Sequence, residues 1–300
     1  MTPAERLAGL FSGRRHVVWE GMHREFLAGL LGVETSELDA IRMGSRYYYR
    51  PIAAAKPDGR ERRILAPSPA LKTLQRRFLD AQLAHNQVHP AATAFRPGGS
   101  TLAHVLPHAR NRTIAAVDLR DFFESTRGSR VARWLAAEGW APDTRRILMR
   151  LCVFRDGLPQ GAPTSPCLSN LVNYRLDERI ETLTGRTGGV YTRYGDDLAF
   201  SWPDSAPPGG FTAAVEDILA RSGYEVQPRK GWRVGTARDG FELVGLTVHG
   251  DGRIRVPRSS RWRATLLRWN ARLGGDAAVA ARARGLDAYI KMVDRMSRFR

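Results

Sequence analysis

The sequence predicts an α+β fold built on a sheet of split βαβ type, and three observations support this class. The short apolar run Ile114 to Val117 is typical of a buried central strand. The segment Tyr191 to Trp202 places β-branched and aromatic residues on both sides of Gly195 and Asp196, which suit a hairpin turn. Helical patterns lie between and after these strands. The order strand, helix, helix, hairpin, helix, strand is that of a split βαβ sheet.

Upstream of the sheet, the pattern predicts helices and one hairpin. Residues 1 to 45 are expected to form an N-terminal extension of short helices. Lys56 to Pro67 carries basic residues around Pro57-Asp58-Gly59, a sequence that favours a turn, so it is predicted to be a charged hairpin. Apolar residues recur at helical spacing from Ala70 to Leu83, which predicts a helix there.

Downstream, Pro166 can begin a helix, which we expect to run from about Cys167 to Ile180. Strand patterns from Phe241 to Val248 and from Arg253 to Val256 surround an Asp-Gly turn and predict a hairpin. Further helices are predicted over Phe211 to Arg221, Arg261 to Leu273 and Ala277 to Met296.

Three aspartates occupy positions that suit metal chemistry. Asp118 stands at the end of the Ile114 strand, and Asp196 and Asp197 stand at the predicted hairpin tip. Hard cations such as Mg²⁺ take oxygen ligands and share one or two carboxylates with substrate phosphates. Two ions held about 3.5–4 Å apart stabilise both oxygens of a phosphoryl transfer. An Asp-Asp pair at a glycine turn is more often a solvated loop, but here a second strand supplies another carboxylate.

The charge of the chain indicates a polyanionic partner. Lys and Arg number 47 against 30 Asp and Glu, so the net charge is +17. Residues 253 to 300 hold 13 of these basic residues and three aspartates, a net +10. Their helices combine an apolar stripe, listed below, with arginines on the other faces, which suits contact with nucleic-acid phosphates, although solvated helix faces give the same pattern. The stripe comprises Trp262, Leu266, Trp269 and Leu273.

Several other classes are not expected. No apolar run approaches the roughly 20 residues of a membrane span and no signal peptide is evident, so the protein is expected to be soluble and cytoplasmic, without a membrane partner. Cys152 and Cys167 are too few for a disulfide framework and are expected to be free buried thiols. The pairs His85/His89 and His104/His108 have metal-compatible spacing, but Pro90 and Pro107 interrupt them and no carboxylate completes a zinc site.

Between Asp118 and the hairpin lies Gly157 to Leu171, a Gly-Leu-Pro-Gln-Gly loop in which Gly161 permits close approach of a ligand. With this order of motifs, residues 46 to 300 resemble reverse transcriptases, most closely the bacterial retron and group II intron types. The resemblance implies a right-hand polymerase with fingers, a ferredoxin-like palm and a helical thumb. It assigns residues 46–113 and about 128–165 to the fingers, 114–127 and about 166–250 to the palm, and 251–300 to a basic thumb.

The resemblance also implies roles for individual residues. Asp118, Asp196 and Asp197 would be the catalytic carboxylates that hold two Mg²⁺ ions, and Lys230 would protonate the leaving pyrophosphate. The residues that would bind the incoming deoxynucleoside triphosphate are Lys56, Arg62, Arg63, Phe123, Gln160 and Gly161. Phe123 falls where the family places a steric gate. Its ring fills the space of a ribose 2′-hydroxyl and offers no hydrogen bond, so the expected product is DNA.

The remaining implied contacts are with nucleic acid. Leu243, Val244 and Gly245 stand where the family has its primer grip. The thumb arginines that would follow an RNA–DNA duplex through its backbone are Arg258, Arg261, Arg263 and Arg268.

Three functional hypotheses remain open. A retron-type reverse transcriptase would copy a structured noncoding RNA, which serves as template and primer, and would act in antiphage defence, with a separate effector protein as a further partner. A non-retron defence-associated or group II intron-like enzyme would act without a retron RNA and could prime on protein or DNA. A catalytically silent RNA-binding scaffold is the third hypothesis, and the presence of all three carboxylates argues against it.

Overall fold

The computed structural model describes residues 23–43, 48–55, 61–204, 207–273 and 276–297. Of the predicted N-terminal extension, residues 1–22, 44 and 45 lie outside the described residues. The same is true of Lys56 and of the predicted hairpin tip at Pro57 to Gly59. For Arg62 and Arg63 the structure describes the backbone only.

The described residues form helices and strands that we number along the chain. The α-helices are α1 Arg24–Leu31, α2 Thr35–Met43, α3 Pro69–Ala81, α4 Thr101–Val105, α5 Phe122–Ser125, α6 Gly128–Ala137, α7 Pro142–Cys152, α8 Ser165–Val172, α9 Tyr174–Arg186, α10 Phe211–Arg221, α11 Arg258–Arg272 and α12 Ala277–Met296. The strands are β1 Tyr49–Ala55, β2 Glu61–Pro67, β3 Thr113–Asp118, β4 Val190–Tyr194, β5 Asp197–Trp202, β6 Arg233–Thr236, β7 Phe241–Leu243, β8 Leu246–Val248 and β9 Ile254–Arg255. No helix in the described part of the chain is long and apolar enough to cross a membrane.

These elements group into two units. The first unit takes the described residues up to Val88 together with Asp121–Asn173, and the second takes His89–Arg120 and the described residues from Tyr174 onward. The chain therefore leaves the second unit after β3, builds part of the first, and returns at α9.

In the first unit, β1 and β2 form an antiparallel hairpin in which Ile52 pairs with Ile64. The predicted helix at Ala70 is α3, which begins one residue earlier because the Ser68 side chain accepts from the Leu71 N–H and Pro69 occupies its first turn. Helices α1, α2, α3, α6, α7 and α8 enclose one apolar core. Leu27 and Phe78 lie fully buried in that core.

The predicted single helix from Cys167 to Ile180 is wrong, because the segment forms α8 and α9, separated at Asn173. The Arg130 guanidinium donates to the Val172 carbonyl at 3.0 Å and to the Asn173 side chain at 2.7 Å. The first bond satisfies the Val172 carbonyl, which a continuous helix would use in its own hydrogen bonding, and the second holds the Asn173 side chain at the break. The hydrogen bonds at the break between α8 and α9 therefore come from Arg130, a residue more than 40 positions away in the chain.

In the second unit, four strands form an antiparallel sheet in the order β4-β5-β3-β6. This order confirms the predicted split βαβ class. Every residue of β3 is buried, as its apolar composition predicted. Helix α10 begins and ends at the predicted residues, Phe211 and Arg221.

The segment from Phe241 to Val248 is not one strand. It folds into β7 and β8 through a tight turn at Val244 and Gly245, and β9 completes a three-stranded sheet. Both turn residues have positive φ, 43° at Val244 and 77° at Gly245. A type I′ turn requires that conformation, which Val seldom adopts, so the residue types alone did not indicate the turn.

Helices α11 and α12 confirm the two C-terminal helices, with α11 beginning at Arg258 rather than Arg261. Small residues lie on their buried sides, including Ala264 and Ala283. The apolar stripe faces the other way. Trp262 and Trp269 are 64% and 63% exposed, so the stripe forms no part of the described core.

Candidate active site

The hairpin β4–β5 positions two of the aspartates. Tyr194 pairs with Asp197, which leaves Gly195 and Asp196 as the two turn residues. Gly195 has φ of 66°, and positive φ at the first turn residue alone is the geometry of a type II′ turn, which matches the right-handed twist of the strands. Asp196 is exposed at the tip, and Asp197 begins β5 half-buried.

Asp118 is the last residue of β3 and lies opposite Asp197 in the strand register. Its backbone is fixed from the other side, because the Gln227 N–H donates to its carbonyl at 2.8 Å. The next residue, Leu119, donates its N–H to the Asp196 carbonyl at 2.9 Å. The structure thus brings all three predicted carboxylates to one end of the sheet. The Asp118 side chain is 9% exposed and forms an ion pair with Lys230.

The pKa of Asp197 reflects the negative charges of its neighbours. Burial, followed by the negative charges of Asp118 and Asp196, raises its pKa to about 7 against the opposing effect of Lys230. Carboxylates that disfavour one another's ionisation favour a cation among them. The Lys230 ammonium group supplies part of this positive charge, because its Nζ pairs with Asp118.

These residues fit Mg²⁺ by donor chemistry, since carboxylate oxygens are its usual protein ligands. Within the described part of the chain, no three His, Cys, Asp or Glu side chains form a ready-made metal cluster. Mg²⁺ usually takes one or two carboxylates, with water and substrate phosphates supplying the other ligands. Asp118, Asp196 and Asp197 offer such carboxylate oxygens at one end of the sheet.

A buried ion pair joins strand β4 of the hairpin to helix α9, and it was not predicted from the sequence. Arg193 on β4 donates to both carboxylate oxygens of Asp177 on α9, at 2.8 and 2.7 Å, and both side chains are fully buried. Arg193 also donates to the Gly195 carbonyl at 3.2 Å, and Tyr191 donates its hydroxyl to Asp177 at 2.9 Å. Burial would lower the pKa of Arg193, but the Asp177 charge outweighs it. The sequence did contain one indication of this ion pair, because Arg193 is a charged residue within a predicted apolar strand.

Two buried histidines tie the same hairpin to α4 and the turn that follows. His108 bridges the two strands, with Nδ1 2.6 Å from Ser201 Oγ and Nε2 2.7 Å from Thr192 Oγ1. Thr192 Oγ1 also lies 2.8 Å from His104 Nδ1. Burial, then the neighbouring cation or histidine, lowers the pKa of each imidazole to about 3. Both rings are therefore neutral at physiological pH and serve the packing of the hairpin.

Among the candidate nucleotide-binding residues, Phe123, Gln160 and Gly161 lie in the described part of the first unit. The Gln160 carbonyl accepts from the Leu65 N–H of β2 at 2.7 Å, and the Phe123 carbonyl accepts from the Leu158 N–H at 3.0 Å. Gly161 packs against the same strand. A Cβ at this position would lie 2.7 Å from Ile64 Cγ2 and 2.9 Å from the Leu65 carbonyl oxygen. The structure thus joins Gln160 and Gly161 directly to the strand that carries Arg62 and Arg63.

The candidate nucleic-acid contacts lie in the second unit. Arg261 pairs with Asp294 and Arg268 with Asp287, so these two arginines also link α11 to α12. Arg258 and Arg263 are exposed on α11. Leu243 is buried, whereas Val244 and Gly245 form the turn between β7 and β8.

A split βαβ sheet with carboxylates at one end is typical of the palm of nucleic-acid polymerases. The family model described as "Reverse transcriptase (RNA-dependent DNA polymerase)" matches residues 54–248, and the chain belongs to that family.

The chain is also similar to named members of the family. It is 31% identical to the retron Mx162 reverse transcriptase and 34% identical to the retron Mx65 reverse transcriptase, both of Myxococcus xanthus, over 90% and 82% of its length. It is 34% identical to the retron Ec86 reverse transcriptase of Escherichia coli over 61% of its length. The aligned regions span 64%, 62% and 58% of these relatives.

Proposed function

We propose that the protein is an RNA-directed DNA polymerase that extends a primer by two-metal-ion nucleotidyl transfer. The observation that carries the proposal is the opposition of Asp118 and Asp197 across β3 and β5, with Asp196 at the adjoining turn. Membership of the reverse transcriptase family supports the same activity.

The carboxylates of Asp118, Asp196 and Asp197 would hold two Mg²⁺ ions, which stabilise the attacking 3′-oxygen and the leaving pyrophosphate oxygen when bound. Lys230, whose Nζ forms an ion pair with Asp118, would give a proton to the leaving group. The expected substrates are deoxynucleoside triphosphates. Gln160 and Gly161 would line the nucleotide, Lys56, Arg62 and Arg63 would meet its phosphates, and Phe123 would exclude a 2′-hydroxyl.

The template we propose is a structured noncoding RNA, in the manner of a retron, with antiphage defence as the biological role. Similarity to three retron reverse transcriptases over 61–90% of the chain supports this assignment. The net charge of +17 supports a nucleic-acid partner. Arg258, Arg261, Arg263 and Arg268 would contact the backbone of the RNA–DNA duplex, and the turn after Leu243 would contact the primer.

The test compares Asp196→Asn with Asp217→Asn, the same change at an exposed carboxylate on α10. Asp196→Asn should abolish primer extension on an RNA template with Mg²⁺, while RNA affinity stays at the wild-type value, because the change removes a metal ligand and leaves the basic surface intact. Asp217→Asn should extend normally. Extension by Asp196→Asn at the wild-type rate would refute the assignment of the metal site.

The same variants expressed with the native flanking DNA test the template. A short DNA joined to RNA, recovered from wild type and absent from Asp196→Asn, would establish the retron reaction. Extension in vitro without any such product in cells would indicate another class of reverse transcriptase.

A further inference from the structure

The second unit contains a basic cleft that the proposed reaction does not use. Its walls are the segment Ala109 to Arg112, the residue Arg238, and the turn His249 to Arg253 between β8 and β9. The cleft has a volume of about 1050 Å³. A second cavity of about 630 Å³ adjoins it, sharing His249 and Arg253, and continues toward Arg255 and Arg258. We call the first cavity the far cleft.

Backbone hydrogen bonds fix the walls of the far cleft. Arg112 donates its N–H to the Trp202 carbonyl at 3.0 Å and accepts from the Ala237 N–H at 2.9 Å. The β8–β9 turn is closed by the His249 N–H, which donates to the Arg253 carbonyl at 2.9 Å. The cleft is therefore preformed, and a ligand would not have to order its backbone.

The charge of the far cleft is strongly positive. Arg110, Arg112 and Arg238 are exposed, and no carboxylate in the described part of the chain lies within ion-pair distance of them. The acidic residue on the wall, Asp251, is shared between Arg253 at 3.7 Å and Arg255 at 3.5 Å. The cations outnumber the acid, so the cleft attracts anions.

The far cleft is separate from the carboxylates. Arg112 precedes the first residue of β3, whereas Asp118 is its last. Five steps along an extended strand span about 17 Å. A nucleotide at the carboxylates therefore does not reach these arginines, but a chain of several nucleotides does.

We propose that the far cleft binds the phosphodiester backbone of RNA outside the duplex being copied. This inference rests on the proposed function for its choice of polyanion. The exposed arginines of the far cleft, Arg110, Arg112 and Arg238, suit an extended chain of phosphates, which exposed guanidinium groups contact one by one. A pocket for a single small anion would instead surround it with buried donors.

The experiment compares Arg110→Gln/Arg238→Gln with Arg179→Gln/Arg186→Gln. The control pair removes the same charge from exposed positions on α9, in the same unit. Affinity is measured against salt concentration for two probes, a stem-containing RNA of about 40 nucleotides and an RNA–DNA primer-template of about ten base pairs. Loss of two phosphate contacts should weaken binding of the long RNA at least tenfold and reduce the slope of log K against log salt by about 1.4.

The control pair should bind the long RNA nearly as wild type, and the cleft variant should extend the short primer-template normally. Equal long-RNA binding by the two double variants would overturn the proposal. So would an equal loss on the short primer-template, because it would place the arginines at the copied duplex. The proposed polymerase activity is judged separately, by extension of the short primer-template by the wild type.

Discussion

The substitution Asp177→Asn should cost more stability than its conservative chemistry suggests. The change keeps the size of the side chain but removes the charge that faces Arg193, and both side chains are fully buried. Arg193 would keep its hydrogen bond to the Gly195 carbonyl and lose the bidentate carboxylate. Removing one partner of a buried pair typically costs about 3–5 kcal/mol, because the other charge stays buried without compensation. We expect that loss in the free energy of unfolding.

Glu178→Gln is the matched control, since it is the same kind of change at the next residue of α9. Glu178 pairs with Arg175 at the surface, so its substitution should leave stability unchanged within error. Urea unfolding at constant pH measures both variants. Asp177→Leu combined with Arg193→Met should recover part of the loss, because no buried charge then remains. A loss of under about 1 kcal/mol for Asp177→Asn, or one matched by Glu178→Gln, would refute the reasoning.

Three further predictions concern the nucleotide site and pH. Phe123→Ala should admit ribonucleotides in primer extension, and unchanged sugar discrimination would exclude Phe123 as the gate. Gly161→Ala should destabilise the protein and weaken nucleotide binding, because its Cβ meets Ile64 and the Leu65 carbonyl at a φ of 124°; the control Gly185→Ala, in open space on α9, should be neutral or stabilising in thermal unfolding. The lowered pKa values of His104 and His108 mean that the unfolded chain binds more protons below pH 6.5. Their contribution is complete above that pH and is lost as pH falls, by up to about 4 kcal/mol near pH 5. The raised pKa of Asp197 has the opposite effect over this range, because the folded chain binds that proton more tightly than the unfolded chain. Urea titrations are therefore made in the Asp197→Asn background, where a flat profile from pH 7 to about pH 5 would contradict the predicted loss.

The sequence predicted the elements whose turns and strands carry clear local signals, although it missed the local turn at Val244 and Gly245. The hairpin around Gly195 was predicted because the turn and its flanking strands carry local signals, and it formed with Tyr194 paired to Asp197. The buried strand β3 followed from its apolar composition, so the meeting of Asp118 with the hairpin followed from the sheet class.

Where the outcome depends on distant residues, less of the structure could be predicted. The break between α8 and α9 involves Arg130, which no local pattern connects with Asn173. The stripe containing Trp262 and Trp269 had the spacing of a buried face, but burial depends on which neighbour is present, and the buried residue of α11 is Ala264 instead. The pairing of Asp177 with Arg193 could not be predicted either, because it depends on how α9 packs against β4.

The chain order of the palm sheet has a consequence for biosynthesis. Thr113 of β3 pairs with Trp202 on one side and Thr236 on the other, so both partners are made about 90 to 120 residues later. At translation rates of about 5–20 residues per second, β3 waits roughly 6 to 24 s for its second neighbour. During that interval an apolar strand has open edges, which is a known hazard for aggregation. The strand that carries Asp118 is thus unprotected in the nascent chain until translation has passed β6.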